Sequence, residues 1–529
     1  MSLTDKFNIK KHNAQKNRIF LLGIDGADLD IIKSLINKGE LPAFSKLLET
    51  GTSSPLLSPI IANSAPSWAS IFTGKDIAEH GILYFQNQFE DRVEFFDLFL
   101  DTIDGERVWA GFDKDNRVSC IINVPITFPP EKVNGVMISG RLANDNSIFT
   151  YPPELTNDLN TIGYHPTFDS SKSDVDLFNI LDKRIDVALE FIRDYNWDMF
   201  FQGFLIIDWI MHHFSEDSLL KQVKEKSDLA GFKIVSKAYK RMDYFLGELL
   251  DKYLSPDDRL FIFSDHGFKR YDFMFNVNIW LIKNGYLVLK RPPGMVIRDW
   301  LLYFPIKIKR AVFGQKNVLG IRQPVFDWKK NIDWKKTTVY SPEFFVNCSS
   351  FRINPYLKLK TEEKNKIIEG LIEQLSSVTL NEKPVFEQFH KREEIFNGRY
   401  FYRMPELLGM LEANVRNDKR IYGKGEIFTV KNSVEHRREG VFFAWGKDIK
   451  KAELNYLPDV RDIFPTVRYS AGLPVHRNIS GKVIEEIFSE SFLKLNELQI
   501  SDDELKPEIT VGERYDDTLK ERLKDLGYL

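Results

Sequence analysis

Short apolar runs that each end in an aspartate constrain most strongly how this chain folds. Residues 19–24 run into Asp25, residues 199–207 into Asp208, and residues 259–264 into Asp265. Unbroken apolar runs of this length are typical of strands buried on both faces, as in a parallel sheet. Ligands of open α/β sheets bind at the carboxyl ends of the strands. We therefore expect the three aspartates at one edge of one sheet.

Helical patterns separate these apolar runs. Further strands are predicted at 118–124, 136–140 and 440–446, and helices at 29–38, 43–49, 174–194 and 229–253. Strands that alternate with helices favour the α/β class, with a mostly parallel central sheet and helices on both faces.

The pattern changes between residues 278 and 418, where the alternation weakens and basic and aromatic residues become dense. A chain of 529 residues is too long for one simple core. We therefore divide it into a first core segment (1–277), an inserted cap (278–418), a second core segment (419–484) and a C-terminal helical tail (485–529). The basic stretch 290–336 is expected to be a solvated surface. Its alternatives are capture of an anionic substrate or peripheral contact with an anionic membrane.

Composition excludes several classes of function. A net charge of -3 gives no reason to expect nucleic-acid binding. Cys120 and Cys348 lack metal-site spacing and indicate buried thiols. The first residues contain no apolar signal region, and no run of about 18 apolar residues predicts a membrane span. A cytoplasmic protein is expected.

A cluster of small hydroxyl residues precedes a predicted helix at residues 63–75. The start of a helix presents free N–H groups that suit a phosphoryl group, and a serine there becomes a nucleophile when a metal lowers its pKa. Ser64, Ser67 and Ser70 are equivalent on these grounds, and helix capping is the alternative. Lys75 and His80 follow this cluster. The sequence is equally compatible with substrate contact and with a surface position for each of them.

Two short spacings resemble metal-ligand pairs. Asp208 and His212 are four residues apart and share one face of a helical turn. Asp265 and His266 lie on a tight loop where Gly267 permits close backbone approach. For Asp25 a turn or a helix cap is the alternative, and His436 carries little weight by itself.

In order along the chain, these stretches resemble one family. They are Leu22-Gly-Ile-Asp-Gly26, Ser64-Ala-Pro-Ser-Trp-Ala-Ser-Ile-Phe-Thr-Gly74, Asn123-Val-Pro-Ile-Thr-Phe-Pro-Pro130, Asn134-Gly-Val-Met-Ile-Ser-Gly140, Ser264-Asp-His-Gly267 and His436-Arg-Arg-Glu-Gly440. The set resembles the type I phosphodiesterase/nucleotide pyrophosphatase branch of the alkaline phosphatase superfamily, and within it a group of phosphohydrolases/phosphomutases. The inserted cap matches poorly.

The resemblance implies an alkaline-phosphatase-like fold and a role for each site residue. One metal ion would be held by Asp25, Asp265 and His266, with Ser64 as its coordinated nucleophile. The other would be held by Asp208, His212 and His436. The family usually has threonine at the position of Ser64.

Two departures from related patterns bear on specificity. Nucleotide pyrophosphatases carry an asparagine beyond the nucleophile that binds a phosphate oxygen, and none lies between Ser64 and Gly74. Ser67 is the nearest polar substitute, and Lys75 is assigned with it to substrate binding. The arginine that a sulfatase motif requires is also absent after Ser64.

The sequence therefore predicts a metal-dependent phosphohydrolase, a phosphodiesterase or pyrophosphatase with two divalent ions. Zinc is the first expectation and manganese the second. A phosphomonoesterase, a phosphomutase and a non-catalytic binding protein of the same fold are the alternatives. The expected partner is a phosphate-containing small molecule or a glycan or lipid phosphodiester.

Overall fold

The computed structural model describes residues 17–503, except for 90, 144–146, 168–173, 215–229, 291–330, 344 and 419–425. Its strands are, in chain order, β1 (Ile19–Ile24), β2 (Thr52–Leu57), β3 (Gln86–Gln88), β4 (Phe95–Asp97), β5 (Ser119–Ile122), β6 (Gly135–Ile138), β7 (Thr150–Tyr151), β8 (Met199–Phe204), β9 (Arg259–Phe263), β10 (Gly267–Asn276), β11 (Val339–Tyr340), β12 (Cys348–Ile353), β13 (Thr379–Leu380), β14 (Lys383–Pro384), β15 (Phe386–Lys391), β16 (Leu407–Leu411), β17 (Val415–Asp418), β18 (Phe428–Arg437), β19 (Glu439–Gly446), β20 (Val475–His476) and β21 (Ile500–Ser501).

The helices of the described residues are α1 (Leu29–Asn37), α2 (Pro42–Thr50), α3 (Ser64–Thr73), α4 (Ile77–His80), α5 (Val108–Lys114), α6 (Leu155–Thr161), α7 (Asp174–Asp194), α8 (Ile206–Phe214), α9 (Ala230–Glu248), α10 (Val277–Lys283), α11 (Thr361–Ser376), α12 (Arg392–Ile395), α13 (Ile463–Ser470) and α14 (Glu490–Leu495). A π-helical turn, Leu249–Tyr253, follows α9. None of them is long and apolar enough to cross a membrane.

The central sheet has eight strands in the order β2-β19-β9-β1-β8-β5-β6-β7. The inner strands β9, β1, β8, β5 and β6 pair in parallel. At the margins β19 runs antiparallel to both β9 and β2, and β7 runs antiparallel to β6. The predicted α/β class with a largely parallel core is confirmed.

Both faces of the sheet are covered, which explains why its strands are apolar throughout. In β1, Phe20 and Leu22 belong to one buried hydrophobic cluster, while Ile19 and Leu21 belong to another. Successive side chains of a strand point to opposite faces, so a strand covered on both sides is apolar at every position. Helices provide much of each layer, for example α1 with Leu35 on one side and α3 with Phe72 on the other.

A third hydrophobic cluster occupies much of the predicted inserted cap. It includes Phe351, Leu371 and Leu407, and it extends back to Val93 and Phe275. The four-stranded sheet β11-β12-β16-β15 lies in this segment. The boundaries of the cap at 278 and 418 stay a prediction. Strand β17 lies within these boundaries but pairs with β10, which precedes them.

Two sequence predictions fall largely outside the described residues. Most of the basic stretch 290–336 lies in 291–330, so its contact with substrate or membrane stays a prediction. Of the predicted helical tail at 485–529, the described part contains α14 and the short strand β21, which pairs with β20. The remainder, 504–529, is not described.

Candidate active site

The three predicted aspartates meet at the carboxyl edge of three neighbouring strands. Asp25 directly follows β1, and its backbone N–H donates to the carbonyl of Phe204 at the end of β8 (2.8 Å). The backbone N–H of Asp208 donates to the carbonyl of Asp25 (3.1 Å). Asp265 lies in the loop between β9 and β10. The predicted strand 199–208 is too long, because β8 ends at Phe204 and Asp208 lies in the first turn of α8.

His436 reaches this edge through an antiparallel pair of long strands, β10 and β18. In their register His436 lies opposite Phe268, two residues after His266. Sequence spacing gives no hint of this pairing, since 170 positions separate the two histidines in the chain. The pairing accounts for the place of His436 beside the other candidate ligands.

The side chains form two groups that could each hold a metal ion. Asp208, His212 and His436 form the first group, and Asp25, Asp265 and His266 form the second. In the first group Asp208 Oδ1 lies 3.2 Å from His212 Nε2 and 3.3 Å from His436 Nε2. In the second group His266 Nε2 lies 3.3 Å from Asp265 Oδ2 and 3.6 Å from Asp25 Oδ1. These are the two sets that the family resemblance implied; their role as ligands stays a prediction.

The carboxylate oxygens that face these groups fit a cation. Asp25 Oδ1, Asp208 Oδ1 and Asp265 Oδ2 are buried and have no hydrogen-bond partner. A buried, unsatisfied carboxylate is costly unless it is paired or coordinates a metal. Burial raises the pKa of Asp265 to about 7, and Asp208 adds to the shift. Burial also raises the pKa of Asp25, with the carboxylates of Asp265 and Asp208 contributing. Bound divalent cations would offset the cost of burying these carboxylates and the repulsion between them.

All three histidines direct Nε2 inward and leave Nδ1 to an acceptor. His266 Nδ1 lies 3.2 Å from the Gly267 carbonyl, and His436 Nδ1 lies 3.3 Å from the Ala62 carbonyl. His212 Nδ1 lies 3.7 Å from Glu435 Oε2. The two carbonyl partners fix the ring orientation and tautomer of His266 and His436, as such partners do in metal-binding histidines. Burial lowers the pKa of His266 and His436, which keeps these rings in the neutral form that binds metals.

Phe268 provides a common wall for the three imidazole rings. Its ring centroid lies 5.4 Å from that of His212, 5.4 Å from that of His266 and 5.3 Å from that of His436, each in an edge-on arrangement. An apolar ring in this place restricts the rotation of all three imidazole rings.

Ser64 is the first residue of α3, and its hydroxyl lies within the second group. Ser64 Oγ is 3.2 Å from His266 Nε2. Asn63 caps the helix by accepting from the Ala65 N–H (3.1 Å), which releases Ser64 from that capping role. Ser64 is fully buried. Geometry thus separates Ser64 from Ser67 and Ser70, which residue type could not.

The two predicted substrate-binding residues lie at different ends of α3. Ser67 is one turn after Ser64, and its buried hydroxyl has no hydrogen-bond partner. Lys75 follows the far end of the helix, and ten residues of helix span about 15 Å. Lys75 packs there beside Gly105. The structure therefore places Ser67 near Ser64 and Lys75 away from the metal groups; substrate binding by either stays a prediction.

Sequence reasoning missed Trp68, which orients Asp25. The indole N–H of Trp68 donates to Asp25 Oδ2 (3.1 Å), leaving Oδ1 directed at the second group. A Cβ atom on Gly23 would lie 2.5 Å from the Trp68 ring, so only glycine leaves room for it. Trp68 lies inside a stretch that carries the family resemblance, which was the signal available.

Sequence reasoning also missed Arg141, which lies one residue beyond another such stretch. Its Nη1 lies 3.9 Å from Asp25 Oδ2 and 3.7 Å from Asp208 Oδ2, so it approaches one carboxylate of each group. Solvent reaches the site at His212 and Glu435, whose side chains are 20% and 16% exposed.

A family model described as "Type I phosphodiesterase / nucleotide pyrophosphatase" matches residues 19–440. The chain belongs to this family. The match spans well over half of the 529 residues and includes every candidate ligand. The family is one of phosphodiesterases and pyrophosphatases, so this member is a hydrolase of phosphoric ester or phosphoanhydride bonds. The family typically depends on divalent metals, and the two ligand groups accord with that dependence.

Solved structures share the fold of this family member. Human ectonucleotide pyrophosphatase / phosphodiesterase 5 superposes with a TM-score of 0.54 at 13% identity, covering 90% of this chain and 100% of that one. An inactive murine form of that protein in complex with AMP gives 0.53 at 12% identity, with 90% and 100% covered. Phosphonoacetate hydrolase from Sinorhizobium meliloti 1021 in complex with phosphonoformate gives 0.53 at 13%, with 86% and 97% covered. No curated protein matches the chain.

Proposed function

We propose that the chain is a phosphodiesterase or pyrophosphatase that uses two divalent metal ions and Ser64 as its nucleophile. The observation that supports this most is the meeting of two three-residue ligand groups at one sheet edge, with Ser64 Oγ 3.2 Å from His266 Nε2. Paired metal sites of this kind are common among phosphatases and nucleases.

The proposed reaction has two displacements at phosphorus. Ser64 Oγ forms a bond to phosphorus while the bond to the leaving oxygen breaks, and the leaving oxygen takes up the serine proton. Water then attacks the phosphoseryl group, restores the Ser64 hydroxyl and releases the second product. When bound, the metal ions lower the pKa of the nucleophiles and neutralise charge on the phosphoryl oxygens. Burial of Ser64 keeps bulk water from competing for the first step.

We further propose zinc as the resident metal, with manganese as the second candidate. The donors are imidazole nitrogens and carboxylate oxygens, a set that both ions accept. Metal analysis of protein purified without added ions, followed by reconstitution with each ion, distinguishes them. The expected content is two ions per chain.

The nucleophile is tested by replacement of Ser64. Ser64→Ala is expected to abolish turnover of aryl phosphate mono- and diesters, since it removes the hydroxyl that lies 3.2 Å from His266 Nε2. Ser70→Ala is the matched control on the same helix, because the Ser70 hydroxyl faces His80 instead (3.1 Å). Full activity in Ser64→Ala would overturn the assignment, and activity that survives chelation would overturn metal dependence.

The substrate class is proposed to be a phosphate-containing small molecule. AMP and phosphonoformate are the ligands named in two neighbouring structures, and each carries a compact anionic phosphorus group. A panel of monoesters, diesters and nucleoside pyrophosphates, run with zinc and with manganese, is expected to show a preference for diesters or pyrophosphates. Oxygen-18 incorporation from labelled water into the product is expected for hydrolysis, and its absence would instead indicate transfer back to the substrate.

A further inference from the structure

A small polar cavity lies in the segment that we predict as an inserted cap. None of its lining residues belongs to either candidate ligand group. Its volume of about 80 Å³ exceeds what a single water molecule requires and is far below that of pockets for drug-sized ligands. Tyr402, which is 66% exposed, lines it, so solvent reaches the cavity. The cavity therefore suits a small solute and not a whole nucleotide.

Three cationic side chains line the cavity, and they come from three different elements. Arg352 lies on β12, Lys364 on α11 and Arg392 on α12. Among the described lining residues, Glu406 is the single carboxylate. Cationic donors that approach from separate directions suit an anion with several oxygens, because each donor can reach a different oxygen. The lining therefore indicates a small oxyanion.

Arg352 is held in place and keeps one donor group for a ligand. Its Nε donates to Glu343, and its Nη2 donates to the carbonyl of Arg403 (2.8 Å). The side chains of Arg352 and Glu343 are 4% and 2% exposed, and Glu343 does not line the cavity. Within the described part of the chain, Nη1 of Arg352 forms no hydrogen bond. A buried guanidinium that is fixed through two of its nitrogens is preorganised to donate through the third.

The other two cations retain positive charge toward the cavity. Arg392 lies over the ring of Phe401, 4.7 Å from its centroid, and donates to Glu393 at 3.2 and 3.3 Å. The side chain of Glu393 is 57% exposed, so water screens its charge. Lys364 is half-buried and forms neither an ion pair nor a side-chain hydrogen bond with any residue that the structure describes. An anion in the cavity would give this ammonium group a partner.

Glu406 restricts which oxyanion fits. Its Oε2 accepts from the Ile353 N–H (3.1 Å), while its Oε1 lies 3.6 Å from Arg392 Nη1 and accepts no hydrogen bond from the described residues. A carboxylate repels a bound anion unless that anion donates a proton to it in a hydrogen bond. Inorganic phosphate keeps one proton as a dianion at neutral pH. Sulfate has none, and a phosphate monoester has lost its second proton above about pH 6.

We propose that this cavity binds inorganic phosphate, with Arg352, Lys364 and Arg392 as donors and Glu406 as the acceptor of the phosphate proton. The site requires no metal ion and shares no residue with the proposed catalytic centre. It is therefore a second site for a phosphorus oxyanion on a chain that belongs to a family of phosphoric ester hydrolases. The proposal does not depend on the proposed function.

The test is titration calorimetry of the full chain with inorganic phosphate near neutral pH, before and after removal of metals by a chelator. The chelated protein is expected to bind one phosphate ion per chain. In Lys364→Glu its affinity for phosphate should fall by at least about tenfold, because a charged hydrogen bond is lost and a like charge is added. Lys366→Glu is the matched control, since Lys366 makes the same charge change on the exposed side of α11. Its phosphate affinity should stay within about twofold of wild type, and circular dichroism should show that both variants fold.

Competing anions test the role of Glu406. In the chelated wild type we expect phosphate to bind at least about tenfold more tightly than sulfate or methyl phosphate. Glu406→Gln keeps an acceptor for the Ile353 N–H and removes the negative charge, so it should narrow this preference. Sulfate or methyl phosphate that binds as tightly as phosphate to the wild type would overturn the assignment of inorganic phosphate.

Two further results would overturn the site itself. One is a chelated wild type that binds no phosphate, and the other is Lys364→Glu with the affinity of wild type. Either result leaves the proposed hydrolysis intact, because that reaction depends on the metal groups. Conversely, a protein that binds phosphate without metals but hydrolyses no ester would refute the proposed function and leave this inference standing.

Discussion

Trp68 illustrates how one hydrogen bond orients a candidate metal ligand. Its indole N–H donates a hydrogen bond to Asp25 Oδ2. Mutation of a residue that hydrogen-bonds to a metal ligand lowers metal affinity by about 10- to 100-fold. We expect Trp68→Phe to weaken binding of one of two metal ions by that factor, measured by competition with a chromophoric chelator. Trp109→Phe is the matched control, because the indole of Trp109 also donates to a carboxylate, that of Glu131, outside the site. Equal metal affinity in both variants would contradict the role of Trp68.

Asp113 offers a pH-dependent test of stability away from the site. Burial raises its pKa to about 6 from an unfolded value near 3.8. The folded state therefore favours the protonated form, and this carboxyl makes folding less favourable as the pH rises from 4 to 6. A shift of two units corresponds to about 2.7 kcal/mol, which partial exposure reduces to about 1 kcal/mol.

Replacing Asp113 by asparagine removes that cost. Asp113→Asn is expected to raise the free energy of unfolding by about 1 kcal/mol at pH 8 and to change it little at pH 4. Urea denaturation at the two pH values measures the difference. An equal effect at both values would show that ionisation of this carboxyl is not the cause.

Single residues differ in how far sequence reveals them. The positions of Asp25 and Asp265 at the sheet edge could be predicted, because a residue that follows a buried parallel strand lies at the carboxyl edge of the sheet. His436 was assigned only through the family resemblance, because the pairing of β18 with β10 that brings it to the site leaves no local signal in the sequence. Arg141 and Trp68 belong to or adjoin recognisable stretches, but their roles depend on what lies across the sheet edge.

The loop before α3 links the segment that we predict as an inserted cap to the helix that carries Ser64. Asn347 in the cap accepts from the Ala62 N–H (3.2 Å) and donates to the Ile60 carbonyl (2.9 Å). The Ala62 carbonyl in turn faces His436 Nδ1 (3.3 Å). Asn347→Ala is expected to cost about 1–2 kcal/mol of stability and to lower kcat several-fold by loosening this loop.

Asn354→Ala is the matched control for that element. Asn354 also bridges backbone groups within the cap, donating to the carbonyls of Trp334 and Thr337, but it does not touch the loop. Both variants should lose similar stability in denaturation, and only Asn347→Ala should lose turnover at saturating substrate. A parallel loss of turnover in both would indicate a general effect of destabilisation.

Helices and strands whose apolar residues recur at a regular spacing were predicted well, and strands rich in polar residues were not. Helix α7 has the predicted bounds, Asp174–Asp194, because its apolar residues recur at helical spacing. The strand 199–208 was overextended, because the apolar residues at 205–207 continue the run while the backbone already turns into α8. Strands β10 and β18 were missed, since their polar and charged residues at half-buried positions give no apolar alternation.

Metal binding should stabilise the folded protein if the two ligand groups bind their ions only in the folded state. Each ion that binds only the folded state at 100 times its dissociation constant adds about 2.7 kcal/mol. We expect chelation to lower the melting temperature by several degrees and zinc to restore it, measured by calorimetry. Asp208→Asn combined with Asp265→Asn should remove the response. A chelator-insensitive melting temperature in the wild type would contradict occupied sites.

At the scale of the whole chain, the fold of the core was predictable, and the internal structure of the segment that we predict as an inserted cap was not. The core carries both the strand–helix alternation and the family stretches, so fold class and family followed from sequence. The cap builds its own hydrophobic cluster from short strands and one long helix, α11. Such short elements leave weak periodicity, and their contacts with Phe275 and Val93 depend on tertiary packing.

Candidate ligands that lie far apart in the sequence leave the ribosome at different times, so the site is completed late in synthesis. His436 joins His212 across 224 positions, and β19, which follows it directly, inserts between β2 and β9. One late stretch of chain thus completes both the first metal group and the central sheet. A nascent chain that stops before this stretch lacks His436 and β19. If the proposed two-metal site is correct, such a chain cannot bind the full metal complement.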